Sequence, residues 1–352
     1  MTEKTKESER ALLIKDMPKL LLLVALYMLQ GLSLGFFLMG FPVVFKKYLS
    51  YSELGVIMMC TMPFSFKLLW SPLVEFYHLR SLGGKRKSWV IPTQLVMFLM
   101  LYYMKDHFEQ MLIDKQIEYI TIILTAIVFV ITCQDIAVDA WAIEMLHKDI
   151  SEYGSSCQTV GQRIGFFISG TIFISMTSGE FCHKWFGVEE PLWNISNFLA
   201  CYCWFLLGVT AYVAFFVTET NESNSSGNDG EDDEIKEADL TIGMTLAIFK
   251  DVLRNKQVQT LMAFLLVTRT SYSIFQHVGE VYLTNDLGYD KANLSSIKVL
   301  ITPLNIFLTA QVGYLARANP FGNMFVLAVI YILVSSWAVL GMLGTFPSRP
   351  ED

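Results

Sequence analysis

The chain has 352 residues, of which 53% are hydrophobic and 17% charged, with a mean hydropathy of +0.44. A soluble globule of this size carries nearer to about 25% charge, so the composition excludes an ordinary water-soluble domain. The net charge of −7 is local, because residues 219–240 hold nine acids against Lys236 and leave the remainder near +1, so it says nothing about a substrate.

A bilayer core takes about 20 apolar residues as a helix. Nine runs meet that length, at about 18–41, 53–75, 88–104, 118–143, 158–178, 193–217, 258–282, 294–316 and 321–346. The first follows a basic head (Lys4, Lys6, Arg10, Lys15, Lys19) and is too long for a cleaved signal, so it reads as a retained anchor. Residues 1–17 are a tail and 18–217 a six-span bundle. Residues 218–257 are a linker, and 258–352 hold three further spans. The linker opens with the Ser, Asn, Gly and acidic stretch 221–234, expected to be disordered. It continues into an amphipathic piece, 242–258, expected to lie at the membrane surface. With the N-terminus in the cytosol, cytosolic segments hold fifteen Lys and Arg against seven opposite, which favours that orientation. Six spans, a long cytosolic linker and further spans resemble the layout of the major facilitator superfamily. The expected fold is therefore an all-α polytopic membrane bundle of that type, with nine spans present out of twelve, the chain being a truncated form.

Ionisable groups inside spans are costly and read as functional. The cations are Lys67, Arg163, Arg269 and Lys298, and the anions Asp135, Asp139, Glu144 and Glu280. For Lys67, Arg163 and Lys298, snorkelling to headgroups is the competing reading. Asp135 and Asp139 are four residues apart and share one helical face. Two roles stay open for them: substrate contact, or a gate lock with Lys67, or with Arg86 and Lys87. Gly31 and Gly35, and again Gly161 and Gly165, have the spacing that lets helices approach closely. Pro63 and Pro72 kink the second span, and Pro303 the eighth. The six cysteines lie mostly in apolar runs and the five histidines show no metal-ligand spacing, so neither a disulfide framework, a metal nor a cofactor is expected. No Gly-x-Ser-x-Gly motif or similar catalytic set occurs, which disfavours a membrane acyltransferase and leaves no catalytic residue to name.

Span four carries Cys133-Gln134-Asp135-Ile136-Ala137-Val138-Asp139-Ala140-Trp141-Ala142. Span two carries Pro63-Phe64-Ser65-Phe66-Lys67-Leu68-Leu69-Trp70-Ser71-Pro72-Leu73-Val74-Glu75, followed by Lys85-Arg86-Lys87-Ser88-Trp89. Together these resemble the acetyl-coenzyme A transporters of the endoplasmic reticulum membrane, and more weakly the bacterial muropeptide permeases. The resemblance implies import of cytosolic acetyl-CoA into the lumen by alternating access, with exchange for CoA one coupling mode. The partners implied are acetyl-CoA and the bilayer, with a homodimer left open and no nucleic acid. Acetyl-CoA carries a pyrophosphate and a ribose phosphate, so Lys67, Arg163, Arg269 and Lys298 are the substrate-binding candidates, with Trp70 and Trp141 available to stack on adenine, although anchoring at the membrane interface is the favoured role for both. Gln134, Asp135, Asp139, Glu75, Arg86 and Lys87 are the candidates for gating or coupling. The chain departs from the family pattern at Ala140, usually Gly, at Glu144, usually small and polar, and at Arg163, usually uncharged. Another anionic conjugate, such as a nucleotide sugar or muropeptide, and a non-transporting truncated isoform are the alternatives.

Overall fold

The computed structural model describes residues 12–41, 48–77, 84–147, 150–151, 153–219, 250–267 and 303. Arg269, Glu280 and Lys298, the stretch 221–234 and the last two expected spans, apart from Pro303, lie outside them. Two compact units divide the chain at Leu300, and of the second only Pro303 is described.

Among the described residues there is no strand. Helix α1, Met17–Gly35, has Pro18 in its first turn, where the missing N–H costs nothing, and runs on into a π-helical turn at Phe36–Gly40. The next span is broken into α2 (Tyr51–Met58), a 3-10 turn at Met59–Thr61, α3 (Met62–Ser65) and α4 (Lys67–Phe76). Ser50 and Glu53 form a capping box at its start. Helices α5 (Lys87–Ile113) and α6 (Ile117–Met145) are long and continuous. Helix α7, Tyr153–Phe167, passes through a second π-helical turn at Ile168–Ile172 into α8, Phe173–Met176. A sharp turn leads to the short α9, Gly179–Phe186, which ends on Gly187 at φ 70°. Only the absence of a side chain makes that left-handed cap inexpensive. Helix α10, Ile195–Phe216, follows, and residues 250–254 and 256–267 are helical as well.

Three of these helices are long and apolar enough to cross a membrane, and up to five spans result if each bent pair counts as one. The bends are 46° between 52–65 and 67–75, and 86° between 153–176 and 179–186. Helix α5 falls short on composition although its 27 residues reach roughly 40 Å at 1.5 Å per residue. The reason is its inverted polarity. Ser88, Thr93 and Gln94 are buried in the bundle, while Leu95, Val96 and Leu99 face outward. An outward apolar face with polar residues inside suits lipid on the outside. The protein is an all-α polytopic membrane protein.

Helices α1 and α7 approach most closely along their glycines. A Cβ on Gly161 would lie 2.6 Å from the Val24 carbonyl oxygen, and one on Gly31 would lie 2.8 Å from Gln162 Cα. One on Gly165 would collide with the backbone of Met28 and Leu32. Both glycine pairs thus serve one interface, where backbones meet because nothing stands between them. Gly165→Val is expected to destabilise the protein by about 1–3 kcal/mol or more. Gly208→Ala, where an added Cβ would meet nothing within 4 Å, should be neutral or slightly stabilising. Thermal unfolding of the two variants in detergent checks the contrast.

Among the described residues, the interior has two apolar clusters stacked along the helices. One gathers Leu23, Leu26, Val90, Val138, Trp141 and Val213; the other gathers Leu29, Leu32, Met97, Ile127, Ile131 and Leu206. Where they meet, each of four helices contributes polar residues: Gln30 from α1, Gln94 from α5, Gln134 and Asp135 from α6, and Thr210 from α10. Thr210 donates to Gln94 at 2.8 Å. This buried polar layer positions the site described next.

Candidate functional site

Lys67 is the first residue of α4, immediately after the break at Phe66, whose φ of −99° and ψ of 25° are not helical. The break lets the side chain turn inward toward α6. Its ammonium donates to Asp135 Oδ2 at 2.5 Å and to Asp139 Oδ2. Asp139 Oδ1 also accepts from Tyr27 Oη on α1 at 3.1 Å and from Gln158 Nε2 on α7 at 2.9 Å. Four helices therefore converge on one cation and two carboxylates. The side chains of Lys67 and Asp139 are 33% and 31% exposed, whereas Asp135 is 1% exposed. Asp135 Oδ1, both side-chain polar atoms of Gln134, and the amide nitrogens of Gln30 and Gln94 are buried with no hydrogen-bond partner among the described residues.

A second cluster surrounds Arg86 at the start of α5. Its guanidinium donates to Glu75 Oε2 at 2.8 Å, and its Nε to Glu144 Oε2 at 3.0 Å. Lys85 also pairs with Glu75. Burial lowers the Arg86 pKa, but the two carboxylates outweigh it and hold the group above the ordinary arginine range. Glu219 accepts from the backbone N–H groups of Arg86 and Lys87 at 3.0 Å each, capping the positive end of α5. Lys87 Nζ donates to the carbonyls of Ala214, at 3.3 Å, and Val217, at 2.8 Å, at the end of α10.

The two acids of α6 thus pair with Lys67. The alternative lock with Arg86 and Lys87 is corrected: those cations serve Glu75, Glu144 and the α10 carbonyls. The reason is helical phase. Asp139 and Glu144 are five residues apart, which at 3.6 residues per turn sets them about 140° apart around α6. Trp70 is half-buried, donates from Nε1 to the Pro63 carbonyl at 3.1 Å and meets Phe129 edge-on, with ring centroids 5.0 Å apart. Trp141 does not have the accessibility that stacking on adenine requires. It is 2% exposed inside an apolar cluster, so its ring is packing for the core. Arg163 is exposed on α7, away from the glycine face that meets α1. Gln134 is buried in the polar layer. Arg269 and Lys298 lie outside the described residues.

Reading charges alone missed Tyr27, Gln158 and Glu219. Gln30, Gln94, Gln158 and Gln162 all stand within apolar runs, and that was the available signal. An uncharged amide in a span needs partners as a charge does. Glu144, which reads as a departure from the family pattern, has a structural role as a partner of Arg86. Among the described residues no group of three or more His, Cys, Asp or Glu gathers to hold a metal. What the arrangement offers is electrostatics: a partly exposed ammonium held by more negative charge than it carries.

The sequence profile of the acetyl-coenzyme A transporter 1 family matches residues 19–320. An uncharacterized protein of Schizosaccharomyces pombe is 36% identical over 202 residues, 55% of this chain and 38% of its own length. An uncharacterized membrane protein of Saccharomyces cerevisiae is 35% identical over 191 residues, 49% of this chain and 34% of its own length. The anhydromuropeptide permease of Escherichia coli is 27% identical over 134 residues, 38% of this chain and 25% of its own. The chain therefore matches between a quarter and two fifths of the length of these relatives.

Proposed function

This chain belongs to the acetyl-coenzyme A transporter family, whose members are transporters rather than enzymes, and from that premise we propose that it carries acetyl-CoA from the cytosol into the endoplasmic reticulum lumen. The proposed mechanism is alternating access in a major facilitator-type bundle, with CoA returning in exchange. The observation that carries the reading is Lys67, an ammonium one-third exposed at the break of a bent span. Acetyl-CoA bears about four negative charges on its phosphates, and a charge-assisted pair to phosphate is strong in a partly desolvated site. We assign Lys67, exposed Arg163, and from sequence Arg269 and Lys298, to the phosphates, and half-buried Trp70 to the base. The Arg86, Glu75 and Glu144 cluster is the proposed cytosolic gate, with Lys87 bracing it against α10.

Ligand-induced stabilisation of the purified protein tests the substrate. A ligand that binds only the folded state raises its apparent stability with concentration. Acetyl-CoA and CoA should raise the unfolding temperature, and dephosphorylated CoA should do so less at equal concentration. A shift from a muropeptide or nucleotide sugar with none from acetyl-CoA would move the assignment to another anionic conjugate, the cargo that the bacterial permease's name suggests.

Orientation has its own test. Asn221 and Asn224 each begin an N-x-S sequon. They are expected to remain unmodified, because the linker is placed in the cytosol. Glycan mapped to either residue reverses the orientation and the direction of transport.

A further inference from the structure

Lys67 carries one positive charge and faces two carboxylates, so with both acids ionised the cluster holds a net charge of −1. The hydrogen bonds do not treat the acids alike. Asp139 accepts three donors, from Lys67, Tyr27 and Gln158, which is what an ionised carboxylate requires. Asp135 accepts from Lys67 through Oδ2 only, and its Oδ1 is buried with no partner among the described residues. A bare carboxylate oxygen at 1% exposure costs far more than a bare neutral carboxyl. The titratable groups facing this pair are Lys67 from α4 and Tyr27 from α1, with Cys157 of α7 beside Tyr27, and of these only Lys67 is cationic. Among the described residues, a second positive charge is therefore missing.

We propose that this missing charge is a proton on Asp135, and that the protonated, neutral cluster is the form that admits an anionic substrate, which couples transport to one proton. The carboxylate of Asp135 takes the proton from water on the side where substrate enters and returns it to water on the other side. Nothing else is gained or lost. Two features of the fold support the route. The unpartnered polar atoms of Gln30, Gln94 and Gln134 lie in the same buried layer as Asp135, between the two apolar clusters, where polar groups can relay a proton. The counter-cation sits at the 46° break of its span, so a bending motion there moves Lys67 relative to both acids. The coupling rests on the substrate reading given above, whereas the proton site stands on its geometry alone.

Two measurements on the full chain in liposomes test the two parts. Infrared difference spectroscopy across a pH titration should show a protonated-carboxyl C=O band at mildly acid pH that is lost as the pH rises. The band should be absent in Asp135→Asn, retained in Asp139→Asn, and present at a shifted frequency in Asp135→Glu, which also shows that the position tolerates substitution. No such band in the wild type, or one that survives in Asp135→Asn, overturns the proton site. Acetyl-CoA uptake into vesicles free of CoA, where no exchange returns the proton, should then respond to a pH gradient that is acid on the outside. One proton per substrate allows about tenfold accumulation per pH unit. Uptake by Asp135→Asn should ignore the gradient. Uptake by the wild type that ignores the gradient, with the band behaving as expected, makes the proton structural and overturns the coupling. If acetyl-CoA does not enter and another conjugate does, the substrate reading fails, and the same gradient test on that conjugate decides the coupling.

Discussion

Lys67→Met is expected to cost about 3–5 kcal/mol of stability at alkaline pH, where Asp135 has lost its proton, because removing one partner of a buried ion pair leaves the other without compensation. Here the stranded partners are Asp135, fully buried, and Asp139, which keeps Tyr27 and Gln158 and is a third exposed. The loss should sit at the lower end of that range for this reason. Adding Asp135→Asn to Lys67→Met should recover most of it, since the amide removes the stranded charge. Equilibrium unfolding of both variants in mixed micelles measures the difference. An unchanged stability in Lys67→Met, with weakened ligand binding alone, would mean that Lys67 serves the substrate and not the bundle.

Arg86→Met is the second large effect, expected at about 2–3 kcal/mol by loss of charge-assisted hydrogen bonds. The guanidinium is 4% exposed while Glu75 and Glu144 are 45% and 49% exposed. The carboxylates can rehydrate when the arginine goes, which caps the cost below that of a fully buried pair. Arg86→Lys should restore only part, because a point ammonium cannot reach both acids through separate N–H groups as the planar fork does. If lysine restores everything, the cluster is held by net charge and not by geometry. Glu144→Gln should cost less than either Arg86 variant, since Glu75 remains.

Much of the first six spans is legible from apolar runs, because a helix in lipid must be apolar outside and satisfy its own backbone. The breaks were only partly legible. Pro63 and Pro72 signal a kink in the second span, and the 46° bend falls between them at Phe66. The π-helical turns at 36–40 and 168–172 carry no sequence mark that hydropathy reads. Of the site, the pairing of Lys67 with Asp135 and Asp139 was one of two readings that charge and helical spacing allowed, and only the phase of α6 relative to α4 and α5 chose between them. Glu144 was visible as a charge in a span but not as a partner of Arg86, because its partner stands in a loop whose position hydropathy does not fix. Trp141 shows the opposite failure. Residue type suggested a stacking surface, and burial among Leu22, Val138 and Ala142 made it core.

The central claim is that this chain moves an anionic coenzyme ester across a bilayer, and uptake into proteoliposomes tests it most directly. Vesicles holding the purified chain and loaded with CoA would be offered labelled acetyl-CoA beside a nucleotide sugar and a muropeptide. The account predicts saturable acetyl-CoA uptake above protein-free vesicles, accelerated by internal CoA and competed more weakly by dephosphorylated CoA. Uptake of the sugar or the muropeptide with acetyl-CoA at the protein-free level would contradict it.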